Sequence, residues 1–181
     1  MTDKRRLFFA VWPDAPAVKY LHEAARDAQR HCGGRLMCRE TLHLTLAFLG
    51  EVPAARVADA TAVADDMSFA PFTLTLDRLD YWKHNRILWA GGESAELAML
   101  ATSLGDGLRA AGFRLDARPF VAHLTLLREA RCEAPPVADP VAWPVREFTL
   151  VESNLAPGGS RYDIIGRWPA TGCRGNESLR R

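Results

Sequence analysis

Runs of apolar, β-branched and aromatic residues recur along the chain and predict strands. Alanine-rich segments lie between several of them and predict helices, the third with Ser94 as its N-cap and Gly112 as its C′ stop. The predicted strands cover Leu7 to Trp12, His43 to Leu49, Phe72 to Leu79, Arg86 to Ala90, Val121 to Leu127, Phe148 to Leu155 and Tyr162 to Trp168. The predicted helices cover Ala15 to His31, Ala54 to Met67 and Ser94 to Ala111.

This order of elements favours an α+β fold with helices packed on one face of the sheets. The segment centred on Leu44 recurs around Leu124, 80 residues later, as HLTL in both copies. Because 80 residues is about half of the chain, the repeat predicts a bilobal fold duplicated about a pseudo-two-fold axis. Residues 1–169 are expected to form this single domain, with 170–181 as a flexible tail, 133–144 as a surface connection and 157–160 as a turn.

Composition narrows the functional classes. The chain has 181 residues with 23 basic and 22 acidic side chains, so a broad cationic surface for a long duplex is not expected. The apolar run that ends at Trp12 is too short for a secretory signal, and no stretch reaches the length of a membrane span. Four scattered cysteines without a CxxC pair predict a reduced, cytoplasmic protein.

The repeated His-x-Thr pattern carries the chemistry. Side chains two apart on a strand point the same way, so His43 and Thr45 share one face while Leu44 anchors the other. His123 and Thr125 have the same parity. One HxT triplet is expected by chance in roughly one chain in five of this size, but a repeated HLTL in only a few per thousand. The pair therefore predicts two imidazoles and two hydroxyls in one site of phosphate size.

Imidazole titrates near neutral pH, so one histidine can take a proton from water while the other donates to a departing oxygen. The threonine hydroxyls would hold the non-bridging phosphate oxygens as negative charge develops on them. This chemistry needs no metal and no cofactor. The residues alone do not say which histidine is the acid.

Two further side chains are candidates for substrate binding. Arg128 suits a phosphate, but on a straight strand it would share the face of Leu124, so it reaches the cleft only if the strand ends or bulges near Leu127. Phe48, at the corresponding place after His43, could stack a base, although its parity favours the core. The sequence gives weaker indications for three other residues, namely His84 in a predicted exposed hairpin loop, Arg161 and Tyr162.

The paired HxTx motifs resemble the 2H phosphoesterase superfamily, and more narrowly the bacterial RNA 2′,3′-cyclic phosphodiesterases, also called 2′-5′ RNA ligases. The resemblance implies two antiparallel-sheet lobes around a central cleft with helices outside. It also implies hydrolysis of a terminal 2′,3′-cyclic phosphate of RNA to a 2′-phosphate, with His43 as general acid and His123 as general base. The resemblance rests on Arg6 to Val11, Thr41 to Val52, His123 to Arg128, Ser153 to Leu155 and Ser160 to Tyr162.

Expected partners are RNA ends with a 2′,3′-cyclic phosphate, tRNA fragments among them, and the protein is expected to be a monomer away from membranes. Alternatives stay open at this level. The same site could take a small cyclic nucleotide or an ADP-ribose cyclic phosphate. A non-catalytic RNA-binding module and a metal site that uses both histidines are the remaining readings, although neither motif marks a third ligand.

Overall fold

The computed structural model describes residues 3–156 and 159–172. Strands and helices in this part are joined by loops and by two 3-10 turns, Arg39–Thr41 and Ala54–Arg56. In chain order the elements are β1 (Lys4–Val11), α1 (Ala15–Cys32), β2 (Arg35–Leu36), β3 (Leu44–Pro53), α2 (Val57–Asp65), β4 (Phe72–Leu76), β5 (Arg78–Trp82), β6 (Ile87–Gly91), α3 (Ala95–Ala110), β7 (His123–Arg128), β8 (Val141–Val145), β9 (Glu147–Ala156) and β10 (Gly159–Pro169).

Eight strands form one antiparallel sheet in the order β10-β9-β1-β3-β7-β6-β5, with β2 paired to the end of β7. Strands β4 and β8 form a separate two-stranded sheet. The two strands that carry the HxT motifs, β3 and β7, are therefore neighbours in the middle of the large sheet. Their pairing is centred on Leu44 and Leu124.

The two halves of the large sheet repeat one unit. Helix α1 connects β1 to its neighbour β3, and helix α3 connects β6 to its neighbour β7. Each helix then packs across the centre, α1 against β7 and α3 against β3. The predicted α+β fold, duplicated about a pseudo-two-fold, is confirmed by this arrangement.

The core lies between the sheet and the helices. Leu44, Leu46, Leu124 and Leu126 are all fully or almost fully buried in one continuous cluster with apolar side chains of the helices. Burying such a leucine contributes roughly 1.5–3 kcal/mol. The opposite face of β3 and β7 is left open, and it lines a cleft. Helix α3 begins as predicted, since Ser94 Oγ accepts a hydrogen bond from the Leu97 amide at 3.1 Å.

Several predicted boundaries need correction. The predicted strand from Phe72 to Leu79 is two strands, because the chain passes from the small sheet into the large one at Asp77. The surface connection predicted over 133–144 ends inside β8, where Trp143 is almost fully buried. Pro144 is accommodated because β8 has only one partner strand. The short β2 was also missed, and helix α2 starts after a 3-10 turn.

The first residues of the predicted tail, Ala170 and Thr171, form contacts with the rest of the fold. Ala170 is buried, and its amide donates to the Arg146 carbonyl at 2.7 Å. The Thr171 amide and hydroxyl both donate to the Phe69 carbonyl, at 2.8 and 3.0 Å. Residues 173–181 of the predicted tail, and residues 157 and 158 of the predicted turn, lie outside the described residues.

The prediction that all cysteines are reduced is wrong for one pair. Cys32 at the end of α1 and Cys132 after β7 form a disulfide across 100 residues of sequence. Their separation hides the pairing in the sequence, since only the fold brings α1 beside β7. Cys38 is exposed and has a free thiol. None of the helices in the described part of the chain is long and apolar enough to cross a membrane.

Candidate active site

The two HxT motifs face each other where β3 and β7 pair. Leu44 lies opposite Leu124, so continuing that register by one residue brings His43 across from Thr125 and Thr45 across from His123. The two leucines are fully buried on the helix side. The histidines and threonines are half-buried on the other side, where they line a cleft of about 1270 Å³.

Each imidazole is held by a backbone carbonyl two residues earlier. His43 Nδ1 lies 2.7 Å from the Thr41 oxygen, and His123 Nδ1 lies 2.8 Å from the Val121 oxygen. Because a carbonyl oxygen only accepts, Nδ1 donates in both rings and carries a proton. Nε2 is then the atom of each ring that can take up or release a proton toward the cleft.

His43 sits in an aromatic enclosure. Its ring centroid lies 4.8 Å from that of Phe8, 5.3 Å from Trp12 and 5.2 Å from Tyr162. Burial lowers the pKa of His43 to about 4, against the opposing effect of the Thr41 carbonyl, and the charges of His123 and Arg128 lower it further. With this pKa the imidazole is neutral at pH 7.

His123 has aromatic neighbours from the hairpin formed by β5 and β6. Its ring lies 4.6 Å from Trp82 and 6.2 Å from Trp89, edge to face in both cases. Burial also lowers the pKa of His123, against the effect of the Val121 carbonyl, and the Arg128 charge adds to the lowering. The charge of Arg128 therefore acts on both histidines.

Arg128 reaches the cleft because β7 bulges. Along β6, Trp89 pairs with Thr125 and the adjacent Leu88 pairs with Leu127, so Leu126 is an extra residue on β7. The bulge returns Leu127 to the helix side and turns Arg128 into the cleft, which the side chain lines. The condition that the sequence set for Arg128 is met.

Phe48 reaches the cleft in the same way on β3. Ala10 pairs with Thr45 and the adjacent Phe9 pairs with Ala47, which leaves Leu46 as an extra residue. Phe48 is consequently 46% exposed. It does not lie in the core, although its parity on a straight strand favours the core. Its ring lies 4.9 Å beneath the guanidinium carbon of Arg6. The other face of the Phe48 ring is available for stacking with a nucleotide base.

Other cleft residues were ambiguous or invisible in the sequence. Tyr162 contacts Phe8 as well as His43, which gives it a structural role at the site. The hairpin predicted as an exposed turn faces the cleft with Trp82 and His84. Arg35 also lines the cleft, and no sequence signal singled it out, because only the pairing of β2 with β7 brings it there.

Within the described residues, no group of three or more His, Cys, Asp or Glu side chains is close enough together to hold a metal ion. At the two HxT motifs the site offers two imidazoles with proton-carrying Nδ1 atoms and two threonine hydroxyls, with the Arg128 guanidinium lining the same cleft.

A duplicated α+β fold with one histidine and one threonine from each half in a shared cleft defines the two-histidine phosphoesterases. Comparisons with known proteins agree. Residues 11–89 match the family described as LigT like Phosphoesterase. The chain is 36% identical to the RNA 2′,3′-cyclic phosphodiesterase of Escherichia coli, over 94% of this chain and 99% of that protein. The chain belongs to the LigT-like phosphoesterases.

A further relative and a solved structure support the assignment over most of the chain. The RNA 2′,3′-cyclic phosphodiesterase of Archaeoglobus fulgidus is 33% identical over 87% of this chain and 96% of its own. A crystal structure of E. coli LigT complexed with 3′-AMP superposes with a TM-score of 0.85 at 35% identity. That superposition covers 93% of this chain and 99% of the other.

Proposed function

We propose that this enzyme hydrolyses the terminal 2′,3′-cyclic phosphate of RNA to a 2′-phosphomonoester. The observation that carries the proposal is the antiparallel pairing of β3 with β7 at Leu44 and Leu124, which places the two HxT motifs side by side on one face of the sheet. Relatives named RNA 2′,3′-cyclic phosphodiesterase at 31–36% identity support the substrate class, as does the nucleotide bound by E. coli LigT.

The proposed reaction uses the two imidazoles in opposite senses. His123 Nε2 takes a proton from water as the water oxygen attacks phosphorus. The bond from phosphorus to O3′ breaks, and protonated His43 gives its Nε2 proton to O3′. The products are a 2′-phosphate and a 3′-hydroxyl. His43 ends neutral and His123 protonated, and proton exchange with solvent restores both.

The remaining groups bind and orient the phosphate. The hydroxyls of Thr45 and Thr125 donate to its non-bridging oxygens, and Arg128 supplies a positive charge on the same side. Phe48 offers its exposed ring to the terminal base. The five-membered cyclic phosphate is strained, and its leaving oxygen stays attached to the ribose. Both features reduce the lowering of the activation free energy that the enzyme must supply.

The substrate itself adjusts the protonation of the site. Both histidine pKa values are lowered, mainly by burial. An anionic phosphate between the rings favours the protonated form of an imidazole and raises its pKa. His43 then becomes available as an acid when the substrate is bound.

The first experiment is turnover of a short RNA that ends in a 2′,3′-cyclic phosphate, with the product identified by ³¹P NMR. A 2′-phosphate is expected, and a 3′-phosphate would overturn the assigned direction of ring opening. The same assay on the mononucleotide and on ADP-ribose cyclic phosphate tests the alternative substrates. In ligation, the 5′-hydroxyl of another RNA would replace water as the nucleophile in the same ring opening and form a 2′-5′ linkage, which is the reverse of cleavage of that linkage.

The roles of the two histidines can be separated with sulfur. In a cyclic substrate that carries sulfur in place of the bridging O3′, the leaving thiolate departs without protonation. His43→Ala should therefore lose far less activity on this substrate than on the oxygen substrate, whereas His123→Ala should lose as much on both. The opposite pattern would reverse the assignment of acid and base.

Two further measurements test the alternative functions, a non-catalytic RNA-binding protein and a metal enzyme. A non-catalytic RNA-binding protein would bind the RNA without turnover by the pure protein. A metal enzyme would lose its activity to a chelator and regain it with zinc or manganese. We expect turnover that a chelator leaves unchanged.

A further inference from the structure

We propose that Arg35 and Arg128 form a second anion site, which binds the phosphodiester one nucleotide upstream of the cyclic phosphate. The inference rests on the proposed function and extends it, because it makes Arg35 the residue that distinguishes an RNA chain from a mononucleotide. Arg128 would contact both phosphates, and Arg35 the upstream one alone.

The backbone sets the two arginines side by side. Strand β2 pairs antiparallel with the end of β7, with Arg35 opposite Arg128 and Leu36 opposite Leu127. Side chains at directly opposed positions lie on the same face with Cβ atoms about 4.5–5.5 Å apart. Leu36 and Leu127 pack in the core on the helix side, so both guanidinium groups point into the cleft.

This approach of β2 to β7 is tightly specified. Gly34 has a φ of +84°, and a Cβ there would lie 2.6 Å from the Arg128 carbonyl oxygen and 2.8 Å from the Ala130 nitrogen. Only glycine suits both the conformation and the close contact. The Cys32–Cys132 disulfide ties the same two segments together a few residues away.

The pair also differs in ion pairing from three of the four other arginines of the cleft, the fourth being Arg6, which lies over the Phe48 ring. Like charges at opposed strand positions repel each other unless an anion lies between them. Among the described residues, Arg35 and Arg128 have no acidic partner, whereas three other cleft arginines each hold an aspartate. Those three pairs are Arg109 with Asp106, Arg118 with Asp116, and Arg161 with Asp163.

The cleft has room for a second nucleotide. Its volume of about 1270 Å³ exceeds the roughly 300–1,000 Å³ of sites that enclose one small ligand. Arg128 acts electrostatically on both histidines, so it lies near the reacting phosphate. Arg35 lies opposite it on the paired strand β2, and its charge is not among those that lower the pKa of either histidine.

The test compares kcat/KM for adenosine 2′,3′-cyclic phosphate with that for the dinucleotide ApA that ends in the same cyclic phosphate. We expect the natural protein to prefer the dinucleotide, and Arg35→Ala to reduce that preference about tenfold. A dinucleotide whose internal phosphodiester is replaced by a neutral methylphosphonate should lose the preference with the natural protein. With Arg35→Ala, this replacement should change little further.

Arg26→Ala removes an exposed arginine from the outer side of α1 and is the matched control, for which the preference should stay as it is. Thermal unfolding of each variant checks that it folds, and Arg35→Lys should recover part of the preference. Equal turnover of both substrates by the natural protein, or an Arg35→Ala preference like that of the natural protein, would overturn the second site alone. Failure to turn over either substrate would overturn the proposed function as well.

Discussion

The active site consists of two half-sites, one around His43 and one around His123. They have the same local backbone arrangement but different neighbouring side chains. In each, the imidazole donates to the carbonyl two residues earlier, a leucine anchors the strand, and a bulge turns the fifth residue after the histidine into the cleft. That fifth residue is Phe48 in one half and Arg128 in the other. Duplication thus supplied the geometry, and the neighbouring side chains distinguish the roles.

The aromatic side chains around the two imidazoles also differ between the half-sites. His43 contacts three aromatic rings, from β1, from Trp12 just after β1 and from β10, whereas His123 contacts two tryptophans of the hairpin. Burial lowers both pKa values, and for His43 as far as about 4. The same local backbone therefore holds two imidazoles whose pKa values are both lowered by burial, although the side chains around them differ.

Removing either imidazole should break the site most severely. His43→Ala and His123→Ala should each lower kcat by roughly 10²–10⁴, because each removes one proton-transfer group. Steady-state rates on the cyclic-phosphate RNA provide the measurement. His31→Ala, at an exposed position on α1, is the control. A variant of either motif that keeps its activity would refute the two-histidine mechanism.

The difference in enclosure should appear in the pH dependence of stability. Between about pH 6.5 and pH 4 the unfolded chain protonates position 43 while the folded protein does not, so acid favours unfolding over this window. His43 should account for a loss of about 3 kcal/mol in the free energy of unfolding. Urea unfolding at pH 7, 5 and 4 should give a flatter dependence for His43→Gln. Equal slopes in both proteins would show that burial does not shift this group.

The threonines test whether the two halves contribute equally to phosphate binding. Thr45→Val and Thr125→Val should each reduce kcat about a hundredfold, since each removes a donor to the charged oxygens. The corresponding serine variants should recover most of the rate. Thr73→Val, on an exposed face of β4, serves as the control. A large effect in only one half would mean that a single hydroxyl binds the phosphate.

The smallest effects should come from the fifth residues. Arg128→Gln should raise KM about tenfold and should also raise the pKa of both histidines, because its charge lowers both. Phe48→Ala should raise KM about threefold without moving either pKa. Imidazole titrations followed by NMR separate the two variants. Unchanged pKa values in Arg128→Gln would place its charge farther from the rings than proposed.

Local patterns sufficed for much of this site. The apolar runs predicted β3 and β7, and the parity of HxT predicted which side chains share the open face. The direction of Arg128 could be stated only as a condition, because a bulge depends on the partner strand. Local patterns could not predict the position of Arg35, strand β8 or the Cys32–Cys132 disulfide, because each depends on contacts between segments far apart in sequence.

The Cys32–Cys132 disulfide makes the chain between these residues a closed covalent ring. Both histidines, both threonines and the two arginines of the second anion site lie within that ring. A single protease cut in the exposed part of the β5–β6 hairpin would therefore leave the two half-sites covalently joined through sulfur. Such a nicked enzyme would come apart only when a reductant opened the bond and the packing between the halves failed.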